Sequence, residues 1–191
     1  MSSLDSLREI YPFDAKTGTF TIPTRLKVYA DFFNPLDPSP APSRDLSIDL
    51  VSYFNQCSEE IFDKYPLTLS IEIQSESRDN AREAECLQSL RTFYQHEIFV
   101  MQAEIRRQRM RALKYLLVSI ACLSVYVISE GRALDYFPLT LLREAVLIGG
   151  WVFMWEAVTL NFIEMDSFIQ KIRKHKRMIS ANVVFSRSVD K

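Results

Sequence analysis

Glu156 is the residue whose surroundings point most directly to chemistry. It lies past the middle of an apolar run, 139–163, where a carboxylate costs on the order of 2.5–3.5 kcal/mol if the run spans a bilayer. We therefore expect Glu156 to face protein or water, as a cation-binding ring in an oligomer, a proton relay or a partner contact. The alternative is a protonated or snorkelled glutamate bonded to a hydroxyl such as that of Tyr115 or Ser119.

Other residues of this run are typical of a membrane boundary or of contacts between helices. Arg143 and Glu144 lie near the predicted outer boundary, where long side chains extend their charges to the headgroups. Glycines let a second backbone approach closely, and tryptophans well inside a span favour helix packing or an oligomer seam. Residues of these kinds, together with small residues, are Gly149, Gly150, Trp151 and Trp155 in this run, and Ser119, Cys122 and Ser124 in the preceding apolar run.

Basic residues border both apolar runs on one side of the predicted membrane. The turn between the runs has mixed charge, so the positive-inside bias places both termini in the cytoplasm and the turn outside. Arginine and lysine at a membrane border favour lipid headgroups over nucleic acid. The predicted headgroup contacts are Arg106, Arg107, Arg109, Arg111 and Lys114 before the first run, and Lys171, Arg173 and Lys174 after the second.

The usual sequence signatures of catalysis and metal binding are missing. Cys57, Cys86 and Cys122 have neither zinc nor redox spacing, and His96 and His175 have no cysteine or carboxylate at a distinctive ligand spacing. The chain holds four glycines, and none of them forms a phosphate-binding loop. We predict that the protein is not an enzyme and uses no cofactor or metal.

Two apolar helices must position Glu156 and its neighbours. Residues 112–129 carry only Lys114 as a charge and number about 18, while 139–163 number about 25, and both lengths suit a bilayer. We assign 112–134 to transmembrane helix 1, and 135–163 to an outer turn and transmembrane helix 2. The alternative is a soluble protein with two very apolar core helices.

Residues 1–79 are predicted to form a cytosolic α/β module. Alternating apolar and polar side chains predict strands at 26–33 and 67–74, and apolar residues at helical spacing predict a helix from 45 to about 63. A strand, a helix and a strand in this order form a βαβ unit. The proline-rich segment 34–44 is either a stiff connector or a docking segment for an aromatic groove on a partner.

A shorter β-rich run precedes this unit. Residues 19–22 are predicted to pair with 9–13 across a turn at 14–18. Pro23 interrupts the run and favours an edge position.

Residues 80–111 are predicted to be a cytosolic stalk helix that continues into the first span. Asn80 and Glu83 resemble a capping box at its start. The basic return helix and tail, 164–191, carry a second apolar stripe, so the two helices should pack as an antiparallel stalk. The stripe from Leu87 to Ile105 is longer than the return helix can cover, and we therefore also expect self-association.

The sequence resembles a family of uncharacterised prokaryotic two-span membrane proteins. The resemblance implies the two-span layout and brings no function with it. It rests on the stretch from Lys27 through Asn34-Pro-Leu-Asp-Pro-Ser-Pro to Arg44-Asp45-Leu, and on the later pairs Arg143-Glu144 and Gly150-Trp151.

The layout is also similar to that of the mitochondrial calcium uniporter, with a soluble α/β domain, a helical stalk, two spans and a returning helix. Trp155-Glu156-Ala-Val-Thr159 is similar to the uniporter's Trp-Asp-x-Met-Glu-Pro filter. The aspartate and the proline of that filter are absent here, and Glu156 lies late in the second span. The resemblance therefore concerns layout alone.

These patterns predict an α+β membrane protein with a small cytosolic βαβ-type module, a long helical stalk and a two-helix transmembrane hairpin. We expect a multi-pass protein of a bacterial inner membrane with both termini cytoplasmic. The predicted function is that of a membrane-anchored interaction or scaffold protein, whose module and stalk recruit a cytosolic partner or a second copy. The alternative is an oligomeric ion channel or transport subunit with Glu156 in the pathway. The lipid bilayer is the other expected partner, and nucleic acid is not expected.

Overall fold

A computed structural model describes residues 3–41, 43–130 and 137–187. Two compact units are present and are described separately. The first contains the described residues up to Phe99 and those from Ile172 onward, and the second is Val100–Lys171. The elements are α1 (Ser3–Ile10), β1 (Phe13–Asp14), β2 (Thr19–Leu26), a 3₁₀ helix (Tyr29–Phe32), α2 (Ile48–Glu60), β3 (Leu67–Ile73), α3 (Asn80–Glu130), α4 (Phe137–Val158), a π-helical turn (Thr159–Ile163), α5 (Glu164–Ile179) and β4 (Asn182–Arg187).

A four-stranded sheet in the order β1-β2-β3-β4 forms the centre of the first unit. β2 and β3 are parallel neighbours joined through α2, which confirms the predicted βαβ connection. The strict alternation of β3 is also confirmed. Leu69 and Ile71 are fully buried on one face, whereas Thr68, Ser70 and Glu72 are half-exposed on the other.

The helix α2 covers the apolar face of the sheet, as its spacing predicts. It begins after Ser47 and buries Leu50, Phe54 and Cys57. Leu46 and Ile61, which flank the helix, are buried in the same core. One helical stripe and one strand face therefore form the core that the sequence predicts.

The predicted strand at 26–33 is wrong beyond Leu26. The Asp31 carboxylate accepts hydrogen bonds from the backbone N–H groups of Lys27 and Val28, at 3.0 and 3.2 Å. These N–H groups therefore cannot pair with a neighbouring strand, and the chain turns into the 3₁₀ helix. That turn buries Tyr29 and Phe32, which lie three residues apart on one side, instead of the alternate residues of a strand.

The N-terminal pairing is shorter than the sequence predicts. Residues up to Ile10 form α1, and only Phe13 and Asp14 pair with β2. The predicted turn is confirmed, with Gly18 at a φ of 68°, a conformation that favours glycine. Because β1 covers only the first two residues of β2, Pro23 lies where β2 is open on that side, as its missing N–H requires.

The segment after α5 contributes a strand that the sequence signals only weakly. β4 pairs in parallel with β3 over its whole length, from Asn182 to Arg187. Tyr94 from α3, Met178 from α5 and Phe185 from β4 are all buried in the same core as β2 and β3. The sheet and core of the first unit therefore include elements on both sides of the apolar helices, beyond the range 1–79 that local patterns suggest.

The long helix α3 is unbroken, which confirms the predicted continuity. Its N-terminus is capped by Asp79 and not by the predicted box at Asn80. The Asp79 carboxylate accepts from the N–H groups of Ala81 and Arg82, at 2.9 and 3.4 Å. The Glu83 side chain is directed elsewhere, into a polar network described below.

The second apolar helix begins at Phe137, so Pro138 lies in its first turn, where a missing N–H costs nothing. The rest of the predicted turn, 131–136, lies outside the described residues. A π-helical turn separates α4 from α5. Its extra residue puts Leu160 and Met165, five positions apart, on the same buried side.

Candidate functional site

A hydrogen bond between Ser119 and Gly150 joins the two helices of the apolar hairpin. The Ser119 hydroxyl is fully buried and donates a hydrogen bond of 2.7 Å to the Gly150 carbonyl. A Cβ at Gly150 would lie 3.1 Å from Leu123 and 3.3 Å from Cys122, whereas one at Gly149 would meet nothing within 4 Å. Gly150 is therefore the position at which α4 approaches α3, and Gly149 faces outward.

Further contacts show that α3 is antiparallel to α4 and the start of α5 within the second unit. Tyr115 stacks on Phe153, with ring centroids 5.9 Å apart, so the pairing continues one turn from Ser119. The Arg109 guanidinium lies 3.3 Å from the Met165 sulfur at one end. As residue numbers decrease along α3, from Ser119 to Arg109, the numbers of their partners increase, from Gly150 to Met165.

Arg143 packs inward at the other end of this hairpin. Its guanidinium lies 5.1 Å from the centre of the Tyr126 ring and 3.3 Å from the Glu144 carboxylate. Its side chain is 24% exposed, and Nε is buried without a hydrogen-bond partner in the described part of the chain. The cation-π contact holds the Arg143 side chain of α4 against Tyr126 of α3. The Glu144 side chain is more exposed.

The outward faces of the hairpin are apolar. The most apolar 18-residue windows of the two helices are only 11% and 18% buried within the chain. Both helices are long and apolar enough to cross a membrane. Large exposed side chains on these faces include Leu117, Ile120, Val125, Val127 and Ile128 on α3, and Leu141, Ile148, Trp151, Val152 and Trp155 on α4.

Glu156 lies on this outward face. It is exposed next to Trp155, whose side chain is 70% exposed, and no hydrogen bond or ion pair from another described residue reaches it. The alternative bond to Ser119 or Tyr115 is not formed. The Ser119 hydroxyl donates to the Gly150 carbonyl, and among the described residues no hydrogen bond joins the Tyr115 hydroxyl to Glu156. Within one copy, therefore, Glu156 faces neither the partner helix nor a described polar group.

The basic residues before the first apolar stretch, which the sequence predicts to contact headgroups, are exposed. Arg107 pairs loosely with Glu104 at 3.6 Å, and Arg109 contacts Met165. A surface groove of about 330 Å³ follows one side of α3. It is lined by Arg106, Arg107, Met110, Arg111 and Lys114.

The basic residues after the second apolar stretch divide between surface and interior. Lys171 and Arg173 are exposed. Lys174 forms an ion pair of 3.1 Å with Glu59 of α2. Arg177 lies deeper still, with a side chain only 10% exposed. Lys174 and Arg177 therefore stabilise the first unit through contacts with α2 and the residues after it. Their position beside an apolar run in the sequence does not reveal this role.

A polar network joins the end of β3 to the start of α3 in the first unit. Arg78 donates two hydrogen bonds of 2.8 Å to the Glu83 carboxylate, and the buried Tyr29 hydroxyl lies 3.3 Å from it. The hydrogen bond from Arg78 holds the pKa of Glu83 below its ordinary value. Burial raises the pKa of the Tyr29 hydroxyl. This network has no counterpart in any sequence motif, since Tyr29 lies 54 residues before Glu83 in the chain.

A cavity of about 810 Å³ lies between the carboxyl end of β2 and the start of α2. Its lining charges balance, because Arg25 and Arg44 face it together with Asp31 and Asp49. Arg25 already pairs with Glu72, and Asp31 binds backbone N–H groups. The cavity therefore has no charge excess that selects a ligand class. Within the described residues there is also no cluster of metal-binding side chains.

The fold and hairpin together define a mixed α/β protein with a small four-stranded sheet and two helices long and apolar enough to cross a membrane. No family model, curated protein or solved structure matches the chain.

Proposed function

We propose that this chain is a membrane-anchored interaction protein, in which the hairpin holds an α/β module at the surface of a bilayer. The observation that carries the proposal is the apolar outward surface of the hairpin. Leu117, Trp151 and Trp155 are each more than half exposed. Apolar surface of this extent is unfavourable in water and favourable against lipid chains.

The alternative of two core helices in a soluble protein is less well supported. Core helices are hydrophobic all round because protein surrounds them, whereas the apolar windows here are mostly unburied. The exposed cations Arg106, Arg107 and Arg111 lie at the end of the apolar stretch, where they suit lipid phosphates.

Alkaline extraction of membranes tests the anchor. We expect the full chain to stay in the pellet and to be released only by detergent. Release into the alkaline supernatant would contradict a spanning hairpin.

Cysteine labelling tests the proposed orientation. In a Cys122→Ala background, a membrane-impermeant maleimide should label Gly131→Cys from outside and should miss Ser3→Cys until the membrane is permeabilised. Labelling of Ser3→Cys in intact cells would reverse the orientation without affecting the anchor.

An oligomeric channel is a second candidate, and the outward position of Glu156 favours it. A carboxylate that its own chain leaves unpaired in an apolar face gains most from a neighbouring copy or from water. Glu156→Gln should then abolish ion flux in proteoliposomes and leave assembly intact, whereas the matched Glu144→Gln variant should conduct normally. Absence of proton, K⁺ or Ca²⁺ flux in the unmodified protein would leave Glu156 a packing residue and the scaffold function standing.

A further inference from the structure

β4 ends the sheet, and its outer edge has free backbone groups. The N–H of Gln74 donates to the Leu26 carbonyl, so even-numbered positions along β3 bond toward β2 and odd-numbered positions bond toward β4. Leu69 is in register with Val183 and bonds to the residues that flank it. The N–H and C=O groups of Val183 and Phe185 therefore point away from the sheet, and no other described strand pairs with them.

The opposite edge of the sheet is protected against strand addition. Pro23 has no N–H to offer, and its carbonyl accepts a hydrogen bond of 2.8 Å from the Tyr53 hydroxyl. The N–H of Lys27 is taken by the Asp31 carboxylate. Between them Arg25 places a charge on the edge. Proline, charge and capped groups are the devices that prevent pairing, and β4 has neither proline nor any charge before its last residue, Arg187.

A groove runs beside the open edge of β4. It has a volume of about 440 Å³ and lies between the strand and the first two turns of α3. Its strand side is lined by Val183, Val184 and Phe185, and its other side by Ala84 and Leu87 together with the polar residues Arg78, Asn80 and Glu83. An added strand would hydrogen-bond to β4 and place alternate apolar side chains against α3, the geometry of recognition by strand addition.

We propose that the outer edge of β4 is an interface that pairs with β4 of a second copy, antiparallel and centred on Val184. The outward N–H and C=O groups of Val183 and Phe185 are symmetric about residue 184, so this register pairs each of them with its counterpart in the second copy. It places Val183 opposite Phe185 on the helix side, and Val184 opposite itself on the open face. No like charges oppose each other in this register, so the strand is self-complementary, as a two-fold interface requires.

This pairing deepens the proposed scaffold function and rests on it only in naming the partner that the module recruits. Two copies anchored in one membrane share a raised effective concentration, which favours a small interface. The membrane anchor and the β4 interface are nevertheless separable, since alkaline extraction reports the first and cross-linking reports the second.

Disulfide trapping tests the register. The backbone groups of Val184 bond to β3, so two opposed copies of it form a non-hydrogen-bonded pair with Cα atoms about 4.5 Å apart, within the range for a disulfide. In a Cys122→Ala background, Val184→Cys should cross-link into a dimer in membranes under mild oxidation, and Arg25→Cys on the protected edge should not. Equal cross-linking at both positions, or none at Val184→Cys in protein that resists alkaline extraction, would overturn the proposal.

Charge exchange at the same position tests pairing without oxidation. Val184 is 44% exposed, so Val184→Lys and Val184→Glu should both fold. Either variant alone opposes like charges and should lose most of the co-purification between two differently tagged copies, whereas coexpression of one with the other should restore it. Failure of the mixed pair to recover would count against Val184 lying opposite itself.

Val183→Pro separates the interface from the fold. The N–H of Val183 points to the outer edge, so proline there removes no bond to β3 and should leave the module folded. We expect loss of the cross-link through Val184→Cys with unchanged protease resistance. Cross-linking that persists at full yield would contradict an interface built on the backbone of β4.

Discussion

Arg177 donates two hydrogen bonds to the backbone carbonyl of Tyr65, from Nε at 3.0 Å and from Nη2 at 2.6 Å. The same guanidinium binds the carbonyls of Ser58, Ile61 and Phe62, at 3.0 to 3.1 Å. These carbonyls lie at the carboxyl end of α2, where a helix leaves acceptors unpaired and favours a cation. A residue that follows the apolar hairpin in sequence thus caps the helix of the βαβ unit.

Loss of this cap should destabilise the first unit. Arg177→Met removes the donor from a largely buried position and leaves several carbonyls without it, at a cost of about 2–4 kcal/mol. Arg177→Lys should recover only part of this, because an ammonium lacks the planar fork that reaches several acceptors. Limited proteolysis and thermal unfolding of the full chain in detergent measure the effect. Arg173→Met, exposed on the same helix, is the control, and equal stability of the Arg177 and Arg173 variants would contradict the role of the cap.

The core beneath α2 should be sensitive to loss of volume. Phe54 is completely buried, so Phe54→Ala should cost roughly 3–5 kcal/mol through lost burial and the cavity left behind. Such a loss is comparable with the whole stability of a small domain. Ile48→Ala on the same helix is the control, since Ile48 is 74% exposed. A Phe54→Ala variant as protease-resistant as the control would mean that this side chain contributes little to the fold.

Acid should destabilise the first unit through Glu83. The bonds from Arg78 place the pKa of Glu83 below its ordinary value of 4.5 in the folded chain. The stability that this carboxylate contributes is therefore fully present above pH 4.5, and is lost as the pH falls through the lower folded pKa. Glu83→Gln should flatten the acid side of the stability profile, measured by unfolding at a series of pH values.

Glu72→Gln is the matched control for that experiment, because it removes an exposed ion pair with Arg25 on the open sheet face. An acid profile of Glu83→Gln identical to that of the unmodified protein would show that the Arg78–Glu83 pair does not drive acid unfolding.

Replacing Gly149 or Gly150 by a larger residue should have very different effects on stability. Gly150→Leu forces a side chain into a space where Leu123 and Cys122 already lie within 3.3 Å of a Cβ, so it should separate the helices and break the hydrogen bond from Ser119. Gly149→Leu faces open space and should be tolerated. The melting temperature of the protein in detergent should fall for Gly150→Leu and stay unchanged for Gly149→Leu. Similar melting of both variants would mean that the helices do not meet at Gly150.

Several elements were predictable because their signals are local. The alternation from Leu67 to Ile73 requires a strand with one buried face, and the spacing of Leu50, Phe54 and Cys57 requires a helix with one buried stripe. Local chemistry is also why the strand beyond Leu26 was predicted wrongly. Alternation continues there, but the Asp31 carboxylate competes for the backbone donors.

The candidate sites were predictable only in part. The sequence places Glu156 and the basic residues relative to two apolar stretches, because charge and hydrophobicity are properties of single residues. It does not show that Lys174 and Arg177 are used inside the first unit while Arg173 stays on the surface, since all three share one basic segment. The sequence also does not show which of Gly149 and Gly150 contacts α3, because this depends on the rotation of α4 about its own axis.

The amino-acid sequence by itself determined the βαβ unit, the unbroken α3 and the two apolar stretches, because each depends on a period or a composition within one segment. Only the tertiary structure decided that β4 completes the sheet and that Arg177 caps α2 through the Ser58 carbonyl, 119 residues away. Such pairings depend on which distant backbone groups remain unsatisfied once the local elements have formed, and no window of sequence contains both partners. The weak β signal of 182–185 becomes the strand β4, because β3 leaves one row of donors and acceptors open beside it.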